Sequence, residues 1–237
     1  MTEPKPRQSK TRCLGLIAGL GLGAAIHYYK ELALAAEGRD RALDMVMAHA
    51  QTSRVFEYVD AGDPNGLAVY LAGFIERLQA AGAEFAVLPA VTPHYCAREL
   101  GALSPLPLLS IFEPLNRELT ARGIHRITVF GSRQVMQAAL YGQVGDVEVV
   151  AAKPEETSYL QNTYLELLRT GSGTEEQHRG LTALAHTLLK RDQVEAVVLA
   201  GTDLALVFNE ENTDFPYLDC AALHLRAIEE ALFRQRD

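Results

Sequence analysis

Glu84-Phe-Ala-Val-Leu88 and Glu195-Ala-Val-Val-Leu199 are one short phrase written twice, almost half the chain apart. A second pair keeps nearly the same interval. Gly19 and Gly131 each close an apolar run, and each is followed at the same short distance by a tyrosine, Tyr29 and Tyr141. Two matches at close to half the chain length predict an internal duplication. Around them, short apolar runs alternate with amphipathic stretches, the pattern of an α/β fold with a mostly parallel sheet. Residues 13–18, 85–89, 107–111, 126–131, 147–151 and 196–200 read as strands. Their near-continuous Val, Ile and Leu content suits strands covered on both faces. Helical stripes lie between them, such as Leu67, Tyr70, Leu71, Phe74, Ile75 and Leu78 within 65–81. Two further stripes run through Leu181, Leu184, Leu188 and Leu189, and through Leu223, Ala227, Ile228 and Ala231. The expected architecture is two similar α/β halves with mostly parallel sheets and a ligand cleft between them, since ligands gather beyond the carboxyl ends of such strands. The expected division is a disordered tail at 1–12, a first half of 13–111 plus 215–237, and a second half of 112–214.

Composition narrows the function. The 237 residues are 48% apolar and 22% charged, which excludes a collagen, a disulfide scaffold and a disordered chain. A formal charge of −8 argues against nucleic acid, because neutralising phosphates needs an excess of Lys and Arg. Cys13, Cys96 and Cys220 are three and cannot all pair, which favours a reducing, cytoplasmic compartment. Lys5, Arg7, Lys10 and Arg12 before the uncharged run 14–26 outline a secretory signal. That run is rich in glycine, Lys30 and Glu31 follow it, and it is too short to span a bilayer, so a strand, turn and helix is the better reading.

Four strand-end loops are expected to line the cleft: Gly19-Leu-Gly-Leu-Gly23, Ala90-Val-Thr-Pro-His94, Gly131-Ser-Arg133 and Gly201-Thr-Asp203. Small residues and hydroxyls before a helix leave backbone N–H groups free for a carboxylate or phosphate. Taken singly, Thr92, Ser132 and Thr202 read equally as helix N-caps. The glycine run is a poor dinucleotide fingerprint, since no acidic residue ends a clear second strand about twenty residues on. No Walker lysine follows either glycine-rich loop, and the seven histidines show no metal-ligand spacing.

At these loops the chain resembles the aspartate/glutamate racemase family, a cofactor-independent group that includes related isomerases and decarboxylases. The resemblance covers nearly everything after Arg12. It is carried by Leu14-Gly-Leu-Ile-Ala-Gly19 with Tyr28-Tyr29, by Leu106-Pro-Leu-Leu-Ser-Ile111, and by Phe130-Gly-Ser132 with Met136 and Tyr141. Residues 165–171 and Leu218-Asp219 with His224 extend it. It implies two similar halves with the site between them, a small carboxylate or amino acid as ligand, no cofactor or metal, and a homodimer. Family racemases place one Cys in a Cys-Asn-Thr-x-His motif and one in a Gly-Cys-Thr-Glu motif, as acid and base on opposite faces of the substrate carbon. The corresponding stretches here read Ala90-Val-Thr-Pro-His94 and Ala200-Gly-Thr-Asp203.

Both thiols are gone, replaced by Ala90 and Gly201. Neither a methyl group nor a hydrogen moves a proton, so two-thiol inversion is excluded. Cys96 lies six residues past Ala90, roughly 9 Å further along a helix, where proton transfer is out of reach. Cys220, beside Asp219, is the better-placed stray thiol, although most free cysteines are inert. His94 and Asp203 are the better acid/base candidates, with Gly19, Thr92, Gly131, Ser132 and Thr202 as ligand contacts. The alternatives for the pair are a core or surface histidine and a first-turn helix carboxylate. Arg133 reads either as a partner for a second carboxylate or as a solvated surface side chain. Three functions remain: an isomerase- or lyase-type enzyme of altered chemistry, a catalytically inactive binding or regulatory protein, and a racemase with re-sited bases.

Overall fold

The computed structural model describes residues 11–234, so residues 1–10 of the expected tail lie outside the described residues. Thr11 and Arg12 are packed on the body: the Thr11 hydroxyl donates to Ala42 O at 2.8 Å, and the Arg12 guanidinium lies 4.6 Å over the Phe85 ring. The first half runs β1 (Leu14–Ala18), α1 (Leu22–Glu37), β2 (Met45–His49), α2 (Thr52–Asp60), α3 (Pro64–Ala80), β3 (Phe85–Val87) and α4 (Ala97–Leu103). The chain continues through α5 (Phe112–Arg122), β4 (Arg126–Phe130), α6 (Arg133–Gln137), β5 (Glu148–Val149), α7 (Pro154–Thr170) and α8 (Glu175–Asp192). It closes with β6 (Ala196–Leu199), β7 (Tyr217–Asp219) and α9 (Cys220–Phe233).

Two parallel sheets result, ordered β2-β1-β3 and β5-β4-β6-β7. The duplication is visible in them. β4 follows β1 at nearly the same interval as β6 follows β3, and β1 lies beside β3 in one sheet as β4 lies beside β6 in the other. The chain is an α/β protein of two similar halves.

Side-chain alternation explains why β1 has no polar position. Leu14, Leu16 and Ala18 join α1 and α9 on one face, while Cys13 and Ile17 meet α3 on the other. The helix expected over 65–81 is α3, started by Asp63, whose carboxylate accepts from the Gly66 N–H at 2.8 Å. The strand expected at 107–111 is an isolated bridge between Ala86 and Leu108. Pro107 carries no N–H, so pairing with β3 is limited to Ala86 N–H to Pro107 O at 2.9 Å and Leu109 N–H to Ala86 O at 3.1 Å.

Two strands are additional to the sequence reading. β2 is a half-exposed edge strand, Met45-Val-Met-Ala-His49, whose four-residue apolar run holds one β-branched residue and ends on a histidine. β7 has three residues, pairs with β6 in the second sheet, and leads into α9, which packs on α1 and α5.

Candidate functional site

The loops after β1, β3, β4 and β6 meet where the two sheets point their carboxyl ends at each other, and hydrogen bonds join them across the halves. The Thr202 hydroxyl donates to Pro89 O at 2.8 Å, and the Thr92 and Ser132 hydroxyls are 3.1 Å apart. Ala24 N–H, in the first turn of α1, donates to Asp203 Oδ1 at 3.0 Å. Thr92, His94, Ser132, Thr202, Asp203 and Ala90 are all buried, with Asp203 0% exposed. The expected cleft is therefore drawn shut at its centre.

The hydroxyls divide between the two roles the sequence left open. Ser132 caps α6, its oxygen accepting from Val135 N–H at 3.4 Å. Thr92 and Thr202 open short 3-10 turns without capping them and bond across the junction instead. Gly131 backs directly on the next loop; a Cβ there would meet Ala200 C and Gly201 N at 3.3 Å.

Gly19 sits apart from this knot. It turns at φ +78, its carbonyl accepts from the Thr52 hydroxyl at 2.7 Å, and it lines a groove of about 620 Å³. That groove is walled by Leu22, Ile26, Tyr29 and Met47, with His49 and Thr52 near the strand ends.

Asp203 has the unusual environment. Its Oδ1 is held by the Ala24 amide, but its buried Oδ2 has no hydrogen-bond partner. Burial lifts its carboxyl to about 6 against the opposing pull of backbone N–H groups, chiefly that of Ala24. Gly21 and Gly23 make room for it: a Cβ on Gly21 would collide with Oδ2, and one on Gly23 would lie 3.0 Å from Oδ1. Much of the glycine-rich loop therefore accommodates the protein's own carboxylate.

His94 is neutral, its imidazole lowered to about 4 by burial. Its Nδ1 is 2.9 Å from Ala90 O, and since a carbonyl only accepts, Nδ1 carries the proton and Nε2 the lone pair. The Phe112 ring stands edge-on to it at 5.4 Å. His224 is wired similarly: Nε2 donates to Leu109 O and Nδ1 accepts from the Tyr28 hydroxyl, both at 3.1 Å. Asp219 caps α9 through Ala221 and Ala222.

Cys96 and Cys220 are free, buried thiols, and Cys13 is buried as well. Burial pushes Cys96 up to about 12 and Cys220 higher still, so both stay protonated and poor nucleophiles at neutral pH. Among the described residues, no three His, Cys, Asp or Glu side chains converge on a point that could hold a metal ion.

Tyr164 of α7 is a residue that sequence reasoning missed. A Cβ on Gly201 would overlap its Cε2 and lie 2.9 Å from Cδ2. The phenol ring thus fills the space that a side chain at 201 would need. Burial and the Asp203 charge hold its hydroxyl well above the usual range, so it stays protonated. A glycine at a position expected to carry a side chain was the available hint that something else fills the gap.

A family model described as Asp/Glu/Hydantoin racemase matches residues 17–228. The chain belongs to this family. Solved structures agree with the racemase-family fold. A candidate Asp/Glu racemase from Yersinia pestis superposes with a TM-score of 0.79 at 22% identity, over 94% of this chain and 100% of the other. An aspartate racemase homologue from Pyrococcus horikoshii OT3 gives 0.75 at 22% identity, over 93% and 99%. An arylmalonate decarboxylase, solved without ligand, gives 0.54 at 14% identity, over 96% and 95%. In this chain the loops that meet at the junction carry Ala90 and Gly201 beside Thr92 and Thr202. No helix of the described residues is long and apolar enough to cross a membrane.

Proposed function

We propose that this racemase-family chain binds a small carboxylate or amino acid between its halves. It acts on that ligand as an isomerase- or lyase-type enzyme whose chemistry does not use two thiols. The observation that carries the reading is Asp203: a fully buried carboxyl, brought to about 6, with one oxygen free at the junction of the loops. A group poised near neutrality both takes and returns a proton at physiological pH. Thr92, Ser132, Thr202 and the amides around Gly131 supply donors for a carboxylate or a developing oxyanion.

The chemistry needs one proton. In a decarboxylation, the carbon–carboxyl bond breaks to release CO2, and the electron pair left on carbon is delocalised as an enolate. The Asp203 carboxylic acid then protonates that carbon, and solvent restores the acid. His94, neutral with a free Nε2 lone pair, supports this as an acceptor. Retro-aldol cleavage, elimination and one-sided isomerisation make the same single demand. The working unit in this reading is a cytoplasmic homodimer that requires no cofactor; sedimentation of the purified chain tests the dimer.

A second reading, a catalytically inactive binding or regulatory protein, is favoured by the Tyr164 ring beside Gly201, since it occupies the flank where a second acid would stand. One experiment separates the two. The protein is incubated in heavy water with aspartate, glutamate, malonates and hydroxy acids, and Cα–H exchange and product are followed by NMR. Turnover or exchange that vanishes in Asp203→Asn supports the enzyme. Ligand-induced thermal stabilisation with no exchange in any sample supports the binding protein.

A further inference from the structure

We propose that Asp203 is an internal stand-in for a ligand carboxylate: it occupies the first-turn seat of α1 until an entering carboxylate displaces it. This rests on the carboxylate-binding reading above and assigns that ligand a specific place. The seat is built from three observations. First, α1 is a long helix of 16 residues, yet it has no side-chain cap of its own and no acidic residue in its first turn. Such an end offers free N–H groups and a favourable dipole to an anion. Second, the group that answers it comes from 179 residues away, in the other half, through Ala24 N–H to Asp203 Oδ1. Third, the wall beside the carboxylate is bare backbone: a Cβ on Gly21 would strike Oδ2, and one on Gly23 would meet Leu206 first and Oδ1 next.

The occupant is imperfectly satisfied, which makes it exchangeable. Asp203 Oδ2 is buried without a partner, and Asp203 forms no ion pair among the described residues. A fully buried carboxylate oxygen without a donor loses its hydration for nothing in return. A free carboxylate entering the seat takes over the Ala24 amide and returns Asp203 to water or to the ligand's reacting carbon. Release of Asp203 also frees the neighbouring Thr202–Pro89 bond, so binding and parting of the halves become one exchange. The same step makes the Asp203 acid available to the substrate in place of the helix.

The test uses the full chain, with malonate and acetate as probes. Affinity is measured by calorimetry, and the Ala24 amide is followed by 15N NMR. We expect Asp203→Ala to bind malonate at least tenfold more tightly than the parent, while losing any turnover the parent shows. Asp203→Asn, which keeps the acceptor but not the charge, should gain at least threefold, and the Ala24 amide should shift on titration in both. Asp203→Asn carries the test if Asp203→Ala fails to fold. Unchanged or weakened binding in the variants, with the parent binding, overturns the stand-in while the carboxylate reading survives. Absence of binding to parent and variants alike removes both.

Discussion

At the scale of single residues, burial sets the charge states, and it does so in opposite senses for the acid and the base at the junction. Asp203 keeps its proton up to about 6 in the fold, against an ordinary 3.8. Below 3.8 both folded and unfolded chains hold that proton, so its contribution is intact there. Between 3.8 and 6 the unfolded chain ionises while the folded chain resists, and stability falls as pH rises. His94 runs the other way: lowered from 6.5 to about 4, it contributes fully above 6.5 and loses that contribution as pH falls toward 4. We therefore expect Asp203→Asn to gain stability relative to the parent between about pH 3.5 and about pH 7, by on the order of 2–3 kcal/mol. Urea melts at both pH values check it. A constant difference across that window would mean that Asp203 is not buried as a charge.

At the scale of elements, the decisive contact is between α7 and the loop after β6. Gly201→Cys alone must push the Tyr164 ring aside, at a cost of about 1–3 kcal/mol. Tyr164→Ala alone leaves a hole costing about 3–5 kcal/mol. Because one side chain fills the other's gap, the double variant should be more stable than the sum of the two by over about 1 kcal/mol. Simple additivity in thermal melts would show that ring and loop do not share that space. What the sequence revealed follows the same local logic. β1, β4 and β6 were legible because strands buried on both faces need unbroken apolar runs. Half-exposed β2 offers only the short run Met45–Ala48, three-residue β7 is too brief to stand out, and Pro107 cut short the strand expected around it. The meeting of Thr92, Ser132 and Thr202 was foreshadowed because duplicated halves repeat their loops at a fixed interval. That Gly21 and Gly23 accommodate Asp203 was hidden, since nothing in local spacing links residues 179 apart.

For the molecule as a whole, the two halves are joined at the junction through two hydroxyl bonds and the Ala24 amide on Asp203, with no ion pair there among the described residues. Thr202→Val strands Pro89 O, at a cost of about 1–2 kcal/mol, and Thr92→Val leaves the Ser132 hydroxyl with only the Val135 N–H, at a cost of about 1 kcal/mol. In the double variant we expect a lower melting temperature and faster hydrogen exchange at residues 89–92 and 200–203, with the outer strands unchanged. Uniform exchange across both sheets would show instead that the halves unfold as one unit. The last helix adds a constraint of a different kind. Leu14, Leu16 and Tyr28, near the start of the chain, share their apolar cluster with Ala221, Leu225 and Ile228 of α9. During synthesis on the ribosome, where early domains ordinarily fold as they emerge, the first sheet must wait with one face bare until residue 228 has left the exit tunnel. The second half closes its own cluster on Leu218, Cys220 and Leu223, so the two cores share the last helix and neither is finished before it emerges.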